Sequence, residues 1–255
     1  DADVVERLVE KITELKPHVT VVSGDLTQRA RSKQFAAARA FLDRLPSPQI
    51  VVPGNHDVPL YNVVDRFVHP LHKYKRFITN DLEPYFQDET IAIAGVNTSR
   101  SLTIKGGRIS AEQVASIRLR MASLDASLLK VVVTHHPFDV PDGEDEDDIV
   151  GRAKEAMPLI AESGADVFLA GHLHVSHIGH SARRYRLDSG RSALIIQAGT
   201  AASVRERGEE NSFNLLEFER PFLTVKRFQC AQPTGEFRLA ADEKFTQTRV
   251  GWERM

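Results

Sequence analysis

The chain has one cysteine, Cys230, which excludes an internal disulfide and any closed all-thiolate zinc site and makes a reducing cytoplasm the expected compartment. It has no apolar run near the roughly 18 to 20 residues that a membrane-spanning helix needs. Its first residues, DADVVERLVEKITE, are too charged for a signal peptide. An excess of either charge is also lacking: 33 Lys and Arg face 35 Asp and Glu, for a formal charge of −2. No broad field therefore draws the protein to nucleic acid or to an acidic membrane, and broad electrostatic binding is not the expected function. No repeat or low-complexity linker divides the sequence. What is present, 42% hydrophobic and 27% charged residues over 255 positions, suits one globular domain with a sizeable core.

Hydrophobic spacing gives the organisation. Val5, Leu8, Val9, Ile12 and Leu15 recur at helical intervals, and Pro17 ends that pattern before the β-branched run VTVV at 19–22. The same order, helix and then short apolar strand, recurs three times. A helix around 34–45 precedes QIVV at 49–52. One from Ser110 to about Leu124, opened by a capping box of Ser110 and Gln113, precedes KVVVT at 130–134. One over 153–162 precedes DVFLA at 166–170. Continuous apolar strands alternating with helices predict an α/β fold with a largely parallel sheet covered on both faces. Strands near 193–197, 213–218 and 222–228, with a hairpin corner at ERPF (219–222), predict a second sheet or antiparallel extension, giving a β-rich C-terminal stretch over 199–255. Residues 61–87, rich in aromatics and lysine, read as helix plus loop able to cap the site.

Polar clusters follow four of the strands directly. VVSGD ends in Asp25, VVPGNHD carries Asn55, His56 and Asp57, VVVTHHP carries His135 and His136, and FLAGHLH carries His172 and His174. Strand ends on one side of a parallel sheet converge on one crevice, so residues far apart in sequence can meet there. A lone histidine after a strand is more often structural than functional. Four clusters at equivalent ends, offering a carboxylate, an amide carbonyl and several imidazoles, form a mixed oxygen and nitrogen set suited to manganese, iron or zinc.

In this order and context, GD, GNHD, the HH pair before Pro137, and GHLH resemble the calcineurin-like metallophosphoesterase superfamily, particularly its bacterial cyclic-nucleotide-phosphodiesterase-like branch. GTAASVRERGEENSFN at 199–214 is similar to the stretch that follows GHxH in that branch. The resemblance implies a four-layer α/β/β/α double-sheet sandwich with two divalent metal ions and hydrolysis of a phosphoester, most readily a cyclic nucleotide or other small phosphodiester, by a metal-bridging hydroxide. It implies Asp25 as the bridging carboxylate, Asn55, His135 and His172 as further ligands of the second ion, and His174 as a ligand of the first. His56 becomes the catalytic histidine at the leaving oxygen. Asp57 and His136 are read as supports behind the ligands, and Arg205, Arg207 and Asn211 as polar-loop candidates for substrate contact.

The family pattern also begins with a strand ending in Asp-x-His, which this sequence does not contain. Asp1 and Asp3 have no accompanying histidine and are not taken as ligands. Either an N-terminal segment of roughly 10 to 20 residues, including a central strand of about five residues, is missing, or one ion is held firmly and the other weakly or not at all. An uncovered interior strand position is costly, which favours the missing segment. Non-catalytic scaffolds, phosphomonoesterases and nucleases remain alternative readings. The acidic run DGEDEDD at 142–148 is read as a flexible solvated flap rather than a ligand set.

Overall fold

A computed structural model describes residues 2–60, 63–101, 106–202, 209–231 and 235–255. In chain order the elements are α1 (Ala2–Leu15), β1 (Thr20–Val22), α2 (Ser32–Leu42), β2 (Gln49–Val51), α3 (Val63–Val68), α4 (His72–Phe77), β3 (Tyr85–Gln87), β4 (Ile91–Gly95), α5 (Ala111–Ser123), β5 (Leu129–Val133), α6 (Ala153–Glu162), β6 (Val167–Ala170), β7 (His177–His180), β8 (Leu194–Gln197), β9 (Ser212–Glu219), β10 (Phe222–Ala231), β11 (Glu236–Thr248) and β12 (Gly251–Arg254). Among the described residues no helix is long and apolar enough to cross a membrane.

The larger sheet has the order β3-β4-β5-β6-β8-β7, parallel from β4 to β8 with an antiparallel strand at each edge. The period of two along β5 decides the layers. Leu129, Val131 and Val133 face a core shared with Leu223 and Val225 of β10, Phe245 of β11 and Trp252 of β12, whereas Val132 faces the core beneath α5 and α6. The four-stranded antiparallel sheet β12-β11-β10-β9 thus lies against one face of the parallel sheet and two helices cover the other. On the far side of the smaller sheet, Val4 and Leu8 of α1 pack on Phe228 and Phe237, and α2 joins α1 through Val9 and Leu42. These are the four layers of an α/β/β/α sandwich. Each fully buried side chain of Leu or Phe size in its two interiors contributes roughly 1.5 to 3 kcal/mol.

The helix starts follow the sequence signals. Ser110 caps α5 by accepting from the Gln113 amide at 3.2 Å, and Gln113 Oε1 accepts from the Ser110 amide at 2.9 Å. Two features differ from the sequence reading. The strands carrying Asp25 and Asn55 do not join the large sheet: β1 and β2 pair only with each other, in parallel, and enter the same intersheet core through Val21, Ile50 and Val52. Their three-residue length leaves too little apolar surface to reveal in sequence which sheet they serve. Within 61–87, α3 and α4 form, but Tyr85–Gln87 is strand β3 rather than loop, and its burial pattern of exposed, intermediate, exposed gives no strong apolar signal. Two aromatics of that segment serve packing: the Tyr74 ring is fully buried against Phe35, with its hydroxyl donating to the Val51 carbonyl at 3.0 Å, and Phe77 stacks on Phe35, whereas Phe67 is exposed. Tyr61 lies outside the described residues.

Candidate metal centre

Although the four motif clusters come from two sheets, the sheets present the same end, and the loops leaving β1, β2, β5 and β6 meet there. The join is made by backbone: the Val52 amide donates to the Val22 carbonyl at 3.1 Å, and the Gly171 amide to the His135 carbonyl at 3.1 Å. Across the sheets, His135 Nδ1 lies 2.7 Å from the Ser23 carbonyl. Gly24 makes this approach possible. Its φ of 91° is left-handed, and a Cβ there would stand 2.7 Å from both the Gly54 amide nitrogen and His135 Nδ1. Asp25, His172 and His174 also have left-handed φ values, of 55°, 76° and 61°, a conformation that costs non-glycine residues energy and is typically retained where a side chain must be aimed.

The Asp57 carboxylate organises the two short loops. It accepts from the Leu26, Thr27 and Gly54 amides at 3.2, 2.9 and 2.9 Å, which ties the GD loop to the GNHD loop. Burial and then the charge of Asp25 push its pKa up to about 7, against the lowering effect of those hydrogen bonds. His56 is aligned from both ends: its amide donates to Asp25 Oδ1 at 3.0 Å and its ring Nδ1 donates to the Gln28 carbonyl at 3.1 Å. Its Nε2 is then the ring atom left to exchange a proton.

His135 Nε2 is the hub. It lies 3.0 Å from Asn55 Oδ1, 3.4 Å from Asp25 Oδ1 and 3.2 Å from His172 Nδ1. Because a carbonyl can only accept, His135 Nδ1 carries a proton toward Ser23, so in the neutral ring that a metal ligand requires it is Nε2 that turns its lone pair to the cluster. His172 is arranged the opposite way: Nε2 meets Asp148 Oδ1 at 3.3 Å, so Nδ1 is the bare atom. With both rings as neutral ligands, two imidazole lone pairs, a carboxylate oxygen and an amide oxygen converge, an arrangement suited to a cation between them. Donors about 2.0 to 2.2 Å from one ion in tetrahedral to octahedral geometry stand roughly 2.9 to 3.4 Å apart, which matches these contacts. Burial pushes the His172 pKa down to about 4, with His135 adding to the effect and the Asp25 and Asp148 carboxylates opposing it, so the ring is neutral, as a ligand must be.

The structure therefore brings Asp25, Asn55, His135 and His172 into direct contact. His136, read from sequence only as a support, is fully buried beside them. The ligand atoms of His135, His136 and His172 lie within 4.8 Å of one another, and His136 Nδ1 is bonded to Thr98 Oγ1 at 2.8 Å. His174 Nδ1 is bonded to Thr200 Oγ1 beyond β8, and the Asn211 carbonyl accepts from the Cys230 amide at 2.8 Å where β9 begins. Arg205 and Arg207 lie outside the described residues. The residue missed from sequence is Asp148. The acidic run is solvent-exposed over 142–147, as read, and makes specific contacts: Glu146–Asp148 forms a 3-10 turn, Asp142 pairs with Arg183 at 2.6 Å, Glu146 pairs with Arg184 at 2.6 Å, and Asp148 reaches His172. The pairing of these acids is not legible in sequence, because their basic partners lie some 40 positions away.

A two-sheet α/β sandwich with oxygen and imidazole donors gathered where its strands end defines a metallohydrolase class. The chain belongs to the calcineurin-like phosphoesterase family, whose pattern residues 1–176 match. Metal-dependent phosphoester hydrolysis is the activity of that family. Among solved structures, a dimetal phosphatase from Danio rerio is similar over 92% of this chain and 88% of its own, with a TM-score of 0.62 and 13% identity, a likeness of fold. A single-mutant Vps29 from Entamoeba histolytica matches over 93% and 88% with a TM-score of 0.46 and 13% identity. The phosphopantetheinyl hydrolase of Mycobacterium tuberculosis matches over 71% and 79% with a TM-score of 0.44 and 15% identity. No curated protein matches the sequence.

Proposed function

We propose that the protein is a phosphodiesterase that hydrolyses a cyclic nucleotide or other small phosphodiester, using manganese, iron or zinc held by Asp25, Asn55, His135 and His172, with Asp25 and His174 serving a second ion. The convergence of bare acceptors on His135 Nε2 carries this reading. When bound, the ions supply Lewis acidity toward the phosphoryl oxygens and an acidified water. Asp25 Oδ1 accepts from the His56 amide, and the His135 and His172 rings are oriented by Ser23 and Asp148. His56, fixed through Nδ1, is oriented to exchange a proton through Nε2 with the departing alcohol, whose alkoxide needs a proton far more than a nitrophenolate does.

Support for a diester rather than a monoester comes from the HHP and 199–214 stretches, which resemble the bacterial cyclic-nucleotide branch. The near-zero net charge suits a small substrate over nucleic acid, and a single buried cysteine suits the cytoplasm. The test is turnover of cyclic nucleotides, bis(4-nitrophenyl) phosphate and 4-nitrophenyl phosphate with added manganese or zinc. The expected result is preference for the diesters and a loss of at least ~100-fold in Asn55→Ala. Equal turnover of wild type and Asn55→Ala, or preference for the monoester, contradicts the proposal. Stoichiometric absence of metal together with absent turnover favours a scaffold.

A further inference from the structure

We propose that Asp148 is a positioning residue that fixes the tautomer and ring orientation of His172, so that the acidic turn 142–148 is part of the metal centre's support. This rests on the metal reading above. The His172 ring has two nitrogens and, as a metal ligand, one proton between them. Nδ1 faces His135 Nε2 at 3.2 Å and Nε2 faces Asp148 Oδ1 at 3.3 Å. An ionised carboxylate only accepts, so the proton belongs on Nε2 and the lone pair on Nδ1 is turned into the cluster. Without that partner the proton can settle on Nδ1 and remove the ligand.

Asp148 is presented from a turn that is pinned on both flanks. Upstream, the Asp145 side chain accepts from the Asp147 amide at 3.0 Å, and Glu146 binds Arg184 Nη1 at 2.6 Å. The Nε of the same Arg184 is held by Asp139, whose carboxylate is fully buried, at 2.6 Å. Downstream, Val150 is buried in the core beneath α5 and α6, and its amide donates to the Pro137 carbonyl at 2.8 Å. Pro137 directly follows the His135–His136 pair, so the turn and the ligand loop share one anchor. His172 lies outside the regular elements with a left-handed φ of 76°; its ring packs on those of His135 and His136, and Asp148 is the carboxylate that meets its Nε2. The negative charge so placed also makes the imidazole a better donor to a dication.

The test uses the full chain in two arms. Long-range proton–nitrogen NMR of metal-free protein should show His172 as the Nε2–H tautomer in wild type and in Asp148→Asn, whose amide oxygen still accepts, and a shift toward Nδ1–H in Asp148→Ala. Calorimetric titration with zinc or manganese should show affinity reduced ~10- to 100-fold in Asp148→Ala and largely restored in Asp148→Asn. Thermal midpoints of the apo-proteins confirm that each variant is folded. Wild-type tautomer and affinity in Asp148→Ala overturn the proposal, as does an Asn variant as weak as the Ala variant. A wild-type chain that binds neither metal overturns the metal reading itself, a separate result from variants that bind as tightly as wild type.

Discussion

Gly54→Ala is the sharpest steric probe of the centre. Gly54 has an ordinary extended backbone, with φ −97° and ψ 177°, so alanine meets no conformational penalty there. The added Cβ, however, would stand 2.1 Å from Asp25 Oδ1, 2.2 Å from the Asp25 amide nitrogen and 2.9 Å from its Cα. Ordinary contacts of this kind begin near 3.4 Å, so the two loops must part by more than about 1 Å. A rotamer change of Asp25 cannot relieve a clash with its backbone, and both loops are tied to Asp57 through the Gly54, Leu26 and Thr27 amides. Overpacking of this kind costs about 1 to 3 kcal/mol, and the rigid tie puts the cost at the upper end. With a urea m-value of about 3 kcal/mol/M, the unfolding midpoint should fall by about 1 M. The Asp25 carboxylate, now 3.4 Å from His135 Nε2, should move out of register and weaken zinc or manganese binding at least ~10-fold. A variant with a wild-type midpoint and wild-type metal affinity refutes the reasoning.

Other outcomes follow from the buried polar groups. Arg184→Ala removes the guanidinium 2.6 Å from the fully buried Asp139 carboxylate and should cost about 2 to 3 kcal/mol in chemical denaturation, less than a wholly buried pair because Arg184 is partly exposed. Arg183→Ala breaks a pair with Asp142, whose side chain is 95% exposed, and should be near neutral by the same measurement. Tyr74→Phe leaves the Val51 carbonyl without its donor in a buried setting and should cost about 1 to 2 kcal/mol. Burial raises the Asp166 pKa despite the Lys130 amide and Arg191 nearby, so its ionisation weighs against the folded state. That cost grows as pH rises from the unfolded carboxylate value through the folded one, so the stability of Asp166→Asn relative to wild type should rise with pH across that window. A relative stability that falls over the same range contradicts the assignment.

Much of the fold was legible because apolar period and capping chemistry agreed. Ser110 and Gln113 form the box that their spacing predicts, the helix over 153–162 is α6 as read, and VVV after Lys130 is a central parallel strand. What escaped was carried by contacts distant in sequence. β11 mixes charges with apolar residues because only Phe237 and Phe245 of it are buried, so its 13 residues do not stand out as a strand within the β-rich stretch 199–255. β7, with the sequence HIGH, is an edge strand recognisable only from its pairing with β8. In the site, the motifs named the side chains that gather around His135, because strand direction alone carries them to one end. Asp148 carries no such signal, since its meaning depends on Arg184 and His172, 36 and 24 positions further along the chain.

The central claim is that Asp25, Asn55, His135 and His172 are arranged around a cation. Anomalous diffraction from crystals grown with manganese or zinc addresses it most directly. The account predicts a peak roughly 2.0 to 2.3 Å from Asp25 Oδ1, Asn55 Oδ1, His135 Nε2 and His172 Nδ1 together. A peak bound elsewhere, or no peak at these four atoms in saturating metal, would contradict it.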